Sequence, residues 1–175
     1  ILPMVAVVMF FSSCKDDDPV APAATLYDEL GGTAMVADPN NAGSQIEKGR
    51  LGIRSVVDST IFIIAGDSRL TKFFPVLLSE VGAGNLSGFS ALSKNLTDFI
   101  SIGAGATSYT YTGDSMKDAH DPAKNPRMAE KAANADMDAF IDDVVKGAKK
   151  VGVPDAQIAK VGAVLESLRA DIVQK

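Results

Sequence analysis

Few residues in this chain can carry chemistry, and they cluster around one of them. The chain has 175 residues, a single histidine and a single cysteine. The histidine closes the stretch Tyr111-Thr112-Gly113-Asp114-Ser115-Met116-Lys117-Asp118-Ala119-His120. A tight turn at Thr112-Gly113 should lead into a short helix capped by Asp114 or Ser115, whose side-chain oxygens can accept from the free N–H groups of a first turn. Asp121-Pro122 should stop that helix, because proline has no N–H to donate and blocks helical continuation. Met116 and His120 lie four apart and so share a face. Taken alone, such a histidine is more often a solvated or satisfied core residue. A neutral imidazole on a short rigid helix beside an apolar pocket can also bind a metal from one side.

Other reactive constellations fail on residue type or spacing. A hydrolase triad needs a base, and only His120 exists. Gly66-Asp67-Ser68-Arg69-Leu70 breaks the nucleophile-elbow pattern at its last position. Zinc needs several nitrogen or sulfur ligands, and Asp16-Asp17-Asp18 lacks the spacing of a calcium loop. Asp142 and Asp143 are neighbours on a helix and diverge by about 100°. A net charge of −5, from 22 acids against 17 bases, argues against nucleic-acid binding, which needs a basic face. Gly31-Gly32 follows no strand and belongs to no GxGxxG pattern, so it reads as a chain break, not a phosphate loop.

The elements that must position His120 read as helices throughout. A first short helix is expected near Thr25–Val36, followed by a loop at residues 37–44. A helix resumes near Arg50, with Ile53, Val56, Val57, Thr60, Ile61 and Ile64 at helical intervals. Gly66-Asp67 ends it, and a short turn carries Leu70, Phe73 and Phe74. From Leu86, the residues Leu86, Phe89, Leu92, Leu96, Phe99 and Ile100 trace one face of another helix. A long helix from about Asp136 turns Met137, Phe140, Ile141, Val144, Val145, Ala148 and Val151 inward. Gly152 ends it, Pro154 opens the last helix, and Ile158, Val161, Leu165, Leu168 and Ile172 follow. No useful strand pattern appears, so the expected fold class is all-α.

Four blocks in order resemble one family. Tyr-Thr-Gly-x-x-Met-x-x-Ala-His, ending at His120, is similar to the proximal segment of the group I truncated haemoglobins. Leu26-Tyr27-Asp28-Glu29-Leu30-Gly31-Gly32 resembles their opening motif. Val56-Val57-Asp58 through Asp67-Ser68-Arg69-Leu70-Thr71-Lys72-Phe73-Phe74 resembles the second helix and the following corner. Lys149-Lys150-Val151-Gly152-Val153-Pro154 resembles the C-terminal hairpin. The resemblance implies a two-over-two helical sandwich over residues 25–175 that binds haem b, with His120 as the axial ligand to iron. It also implies that Phe74 packs flat on the porphyrin. Phe73, Ile61, Leu92, Leu96, Phe99, Met116 and Phe140 would complete the pocket, and Lys94 is a candidate partner for a haem carboxylate. Residues 37–44, 75–85 and 121–135 exceed the compact family and read as insertions.

One departure bears on function. In ungapped register with the family, Ile61 stands where many members carry a ligand-bonding tyrosine, and Leu92 and Leu96 fall at the other two ligand-facing positions. The gas ligand would then receive no hydrogen bond, which implies fast oxygen loss and easy autoxidation. The implied activity is reversible binding of a diatomic gas, oxygen above all, and not catalysis. Two other readings stay open. One is an enzyme that detoxifies nitric oxide or peroxide, served by an unknown reductase; the other is a haem-free or haem-carrying helical lipoprotein.

The N-terminus reads as an address. Leu2 to Phe11 is almost wholly apolar and Ser12-Ser13-Cys14 follows, so residues 1–13 are expected to be a lipoprotein signal cleaved before a lipidated Cys14. Ten apolar residues are too few to cross a bilayer. The chain opens at Ile1 without a methionine or basic residues, so its natural start is expected upstream. Lys15-Asp16-Asp17-Asp18 resembles the acidic tag of exported surface lipoproteins. Residues 14–24, with Pro19 and Pro22, would form a spacer. The expected location is the cell envelope, with the membrane reached through Cys14.

Overall fold

Two long helices crossing at a glycine set the frame of this protein, whose computed structural model describes residues 23–175. The expected signal segment and Cys14 lie outside the described residues. Helix α2 (Lys48–Ile64) buries Ile53, Val56, Val57, Thr60, Ile61 and Ile64, the positions its periodicity marks. It crosses α6 (Asn134–Lys150), which buries Met137, Val144 and Ala148. At the crossing, a β-carbon on Gly147 would strike the Thr60 hydroxyl and lie 3.0 Å from its backbone nitrogen. Only glycine allows this approach. The Thr60 hydroxyl is satisfied within α2, donating to the Val56 carbonyl at 2.8 Å.

Each crossing helix has a second partner. Helix α4 (Ser87–Gly103) packs on α2, and α7 (Asp155–Glu166) packs on α6, giving one helix pair over another. The two-over-two helical expectation is met. One core cluster joins Phe73, Met137, Val144, Ala148, Ile158, Val161 and Leu165. The other joins Tyr27, Ile53, Val57, Ile61 and Ile100. Fully burying each such large side chain contributes about 1.5–3 kcal/mol relative to exposure.

The first and last helices differ from the expectation. Helix α1 (Leu26–Glu29) is a single turn with reciprocal capping: Thr25 Oγ1 accepts from the Asp28 N–H at 3.1 Å, and Asp28 accepts from the Thr25 N–H at 2.9 Å. Gly31 and Gly32, at φ +121° and +57°, end it in a region that side-chain-bearing residues avoid. The chain then forms β1 (Met35–Ala37), paired antiparallel with β2 (Gln45–Glu47), Val36 opposite Ile46. A small ribbon therefore adorns the helical fold. Three-residue strands with one buried side chain, Ile46, are too short to show alternation. At the other end the last helix breaks, and Ile172 is buried from a separate α8 (Arg169–Ile172). The Ser167 hydroxyl donates to the Val164 carbonyl at 2.6 Å where the ladder stops.

The second expected insertion also contains structure. Residues Pro75–Gly82 form α3, with proline at the first helical position, where its missing N–H costs nothing. Leu86 is not on the buried face of α4; it stands before the helix and is 56% exposed. The most buried residues of α4 are Ser93, Thr97, Asp98, Ile100 and Ser101. The Ser93 hydroxyl donates to Asp58 at 2.5 Å, and Asp98 takes Arg50 at 2.5 Å and Lys94 at 2.7 Å. Small and paired polar residues let α4 lie close on α2. Of its large apolar residues, Ile100 is buried, and Phe89, Leu92, Leu96 and Phe99 are only half covered.

Candidate functional site

His120 ends α5 (Met116–Ala119), a single turn whose N-cap is Ser115. The Ser115 hydroxyl accepts from the Asp118 N–H at 3.1 Å, so of the two expected caps the serine serves. The Met116 carbonyl accepts the His120 backbone N–H at 3.2 Å and lies 2.8 Å from the ring Nδ1. A carbonyl can only accept, so Nδ1 carries the hydrogen and Nε2 keeps a free lone pair. Burial lowers the His120 pKa, and the bond to Met116 opposes that only in part. The ring is therefore neutral near pH 7. One free nitrogen cannot chelate an ion by itself. It suits a metal whose other positions are filled by a cofactor, and no group of three or more His, Cys, Asp or Glu side chains forms a metal site among the described residues.

The turn is fixed from both sides. Asn125 Nδ2 donates to the Ala119 carbonyl at 2.8 Å, and Gln174 Nε2 donates to the Lys117 carbonyl at 2.7 Å. Before the helix, the Tyr111 hydroxyl donates to the Asp114 carbonyl at 2.8 Å, and its ring meets Phe99 edge-on at 5.2 Å. A β-carbon on Gly113 would collide with the Tyr111 ring, which explains the glycine in that turn.

Two openings flank the half-covered stripe of α4. The first is an apolar cavity of about 80 Å³ that brings together Ile61, Phe74 and Leu92 with Phe89 and residues of α3. The second, about 310 Å³ and more open, is lined by Phe99, Tyr111, Val164 and Leu168. Leu96 lies between Leu92 and Phe99 on the same face, half-buried against the second core cluster. Phe74, Met116 and Phe140 are half-buried against the first cluster. Phe73 is core, 3% exposed, and edge-on to Phe74 at 6.5 Å. His120 lines neither cavity.

Thr71 is the polar residue in the lining of the first cavity, and Thr60, Asn95, Tyr109 and Lys94 do not line it. Thr60 is tied to its own helix, and Asn95 is exposed. Tyr109 lies under the Arg50 guanidinium at 4.1 Å, and burial followed by the Glu47 charge raises its pKa. Lys94 is held by Asp98. Sequence reasoning missed Leu77, Leu78 and Val81 of α3, which line the first cavity, and Phe62, whose ring meets that of Phe89 at a tilt with centres 5.4 Å apart. The signal was present: Pro75 followed by apolar residues at 77, 78 and 81 is a helix start with an apolar face.

Among solved structures, the chain is similar to the truncated haemoglobin from Tetrahymena pyriformis in its Fe(III) form, with a TM-score of 0.59 and 22% sequence identity. The match covers 87% of this chain and 100% of that one. Three single-substitution variants of the same protein, also Fe(III) forms, match to the same degree. No protein-family model matches the chain, and no curated protein matches it. The likeness establishes a truncated-globin fold.

Proposed function

We propose that this protein is a haem-binding globin of the group I truncated type that reversibly binds a diatomic gas, with His120 as the axial ligand to iron. The observation that carries the reading is the state of His120: neutral, half-buried, its Nδ1–H held by the Met116 carbonyl and its Nε2 free. Orientation of a metal-binding imidazole through its other ring nitrogen raises its basicity and fixes its plane. The apolar stripe supports the same reading. A flat apolar group lying along α4 would reach from Phe89 and Leu92 across Leu96 to Phe99. Phe74, Met116 and Phe140, each half covered, are available to pack on it. When bound, haem supplies the iron at which a gas is held.

This chain's own residues would set how the gas is held. Ile61, Leu92 and Leu96 offer no hydrogen bond, so oxygen would leave quickly and the iron would oxidise readily. The lack of a hydrogen-bond donor weighs against turnover of nitric oxide or peroxide. The likeness to an Fe(III) truncated haemoglobin supports haem as the cofactor. We further propose that the domain is held at the cell envelope by a lipid on Cys14, on the strength of the apolar run before it and the acidic and Pro/Ala-rich segment after it. A Cys14→Ser variant of the full precursor should then move from the membrane to the soluble fraction.

The deciding experiment is a haem titration of residues 15–175 beside a His120→Ala variant. A stoichiometric Soret band with histidine-ligated ferrous features, lost or shifted in the variant, is expected. Identical spectra from both proteins would sink the assignment.

A further inference from the structure

Two of the three insertions are joined to each other. Helix α3 places Leu77, Leu78 and Val81 on the first cavity. From the same helix Glu80 meets Arg127, which belongs to the loop that follows His120. The contact is bidentate: Arg127 donates to Glu80 Oε1 at 2.9 Å and to Oε2 at 2.5 Å. Arg127 holds the Glu80 carboxyl below its usual pKa. The loop is tied back to the core, since the Ala129 N–H donates to the Phe73 carbonyl at 3.3 Å and Met128 packs on the first cluster. Arg127 thus projects from an anchored strap.

The space for this contact is made by Gly88, in the first turn of α4. A β-carbon there would collide with both the Glu80 carboxylate and the Arg127 guanidinium. The obstructed atoms are the ends of flexible side chains, so a methyl group at 88 would displace the ion pair and leave the backbone in place. Helix α3 has no fully buried residue of its own. Little apolar burial holds it down, and the ion pair ties it to the loop that follows His120.

We infer that α3 is a lid over the apolar cavity, latched by Glu80 and Arg127 in the gap left by Gly88, and that this latch limits passage of small apolar molecules such as diatomic gases. The cavity, about 80 Å³ and lined by apolar side chains and Thr71, takes such molecules and offers no charge to a charged one. Arg127 is 47% and Glu80 23% exposed, so the latch is solvent-facing, weak and salt-sensitive, as a lid that must open requires. The role in gas passage rests on the haem reading; the lid itself does not.

The test uses two probes. In the haem-loaded protein, carbon monoxide rebinding after photolysis is compared for wild type, Glu80→Gln, Arg127→Gln, the double variant and Gly88→Ala. In the haem-free protein, xenon exchange is followed by NMR on the same set, with circular dichroism confirming helix content. Each single variant should speed passage about fivefold, the effect expected from losing one well-formed surface pair. The double variant should add nothing further, and wild type in high salt should approach the variants. Unchanged xenon exchange in all variants would overturn the lid. Failure of wild type to bind haem, with xenon exchange still accelerated, would overturn the gas-binding reading and leave the lid standing.

Discussion

The Nδ1 atom of His120 lies 2.8 Å from the carbonyl oxygen of Met116, one helical turn before it. That contact selects the tautomer, and burial, the larger influence, depresses the pKa below its ordinary 6.5. A depressed histidine pKa means that the unfolded chain takes up the proton first. The stabilising contribution is therefore complete above about pH 6.5 and is lost as pH falls through the folded value. In His120→Gln the urea midpoint should vary less between about pH 7 and 5 than in wild type. Parallel curves for the two proteins would show that the ring is not held neutral.

Two helical glycines, one at the crossing of α2 and α6 and one inside α7, predict substitutions of opposite sign. Gly147→Ala pushes a methyl group into Thr60, whose backbone nitrogen, 3.0 Å away, cannot swing aside. Overpacking of this kind costs about 1–3 kcal/mol, a drop of several degrees in Tm. Gly162, inside α7, has nothing within 4 Å of an added β-carbon. Gly162→Ala should stabilise by about 0.5–1 kcal/mol through helix propensity alone. Thermal melts of the two variants decide both, and a neutral Gly147→Ala would place the helices farther apart than described.

How much of this was legible depends on what covers each residue. Helix α2 was readable because protein covers its whole inner face, so Ile53, Val57, Ile61 and Ile64 repeat without interruption. The Ser115 cap and the Pro154 start were readable because capping is local chemistry. Helix α4 was misread in part. Its apolar stripe begins at Phe89, not Leu86, and its buried residues are Ser93, Thr97, Asp98 and Ser101 with Ile100 alone among the large apolar ones. Periodicity finds the apolar face of a helix but does not say whether protein or another molecule is to cover it. The ribbon at Val36 and Ile46 escaped because its strands are three residues long. The Glu80–Arg127 pair escaped because it is non-local, its members being 47 residues apart in sequence.

Asp67 predicts how the corner after α2 responds to acid. Its Oδ1 accepts from the Arg69 N–H at 2.8 Å, and its Oδ2 takes the guanidinium at 2.5 Å. The hydrogen bond from the Arg69 side chain is the chief reason its pKa falls to about 2. A carboxylate depressed in the folded state stabilises above its ordinary value of 3.8, and this is lost as pH falls through about 2. The stability gap between wild type and Asp67→Asn should be constant from about pH 7 to 5 and should shrink below about pH 4. A gap that persists unchanged at pH 3 would assign the effect to shape instead of charge.

Ile61 offers the sharpest handle on the proposed activity. It is 6% exposed and lines the apolar cavity with Phe74 and Leu92. Thr71 is the one polar residue in that lining, since Thr60 bonds to Val56 and Tyr109 sits beneath Arg50. A phenol introduced by Ile61→Tyr would bring a hydroxyl that must find a partner. Oxygen in the cavity would be an acceptor for it. A hydrogen bond to a polarised ligand is worth about 1–3 kcal/mol, so oxygen dissociation from the ferrous protein should slow by roughly ten- to a hundredfold. Carbon monoxide, a poorer acceptor, should respond far less, which separates hydrogen bonding from simple obstruction of the cavity. Equal slowing of both gases would mean that the tyrosine only narrows the path. No effect on either would place Ile61 away from the ligand, and the family register that assigned it would have to be abandoned.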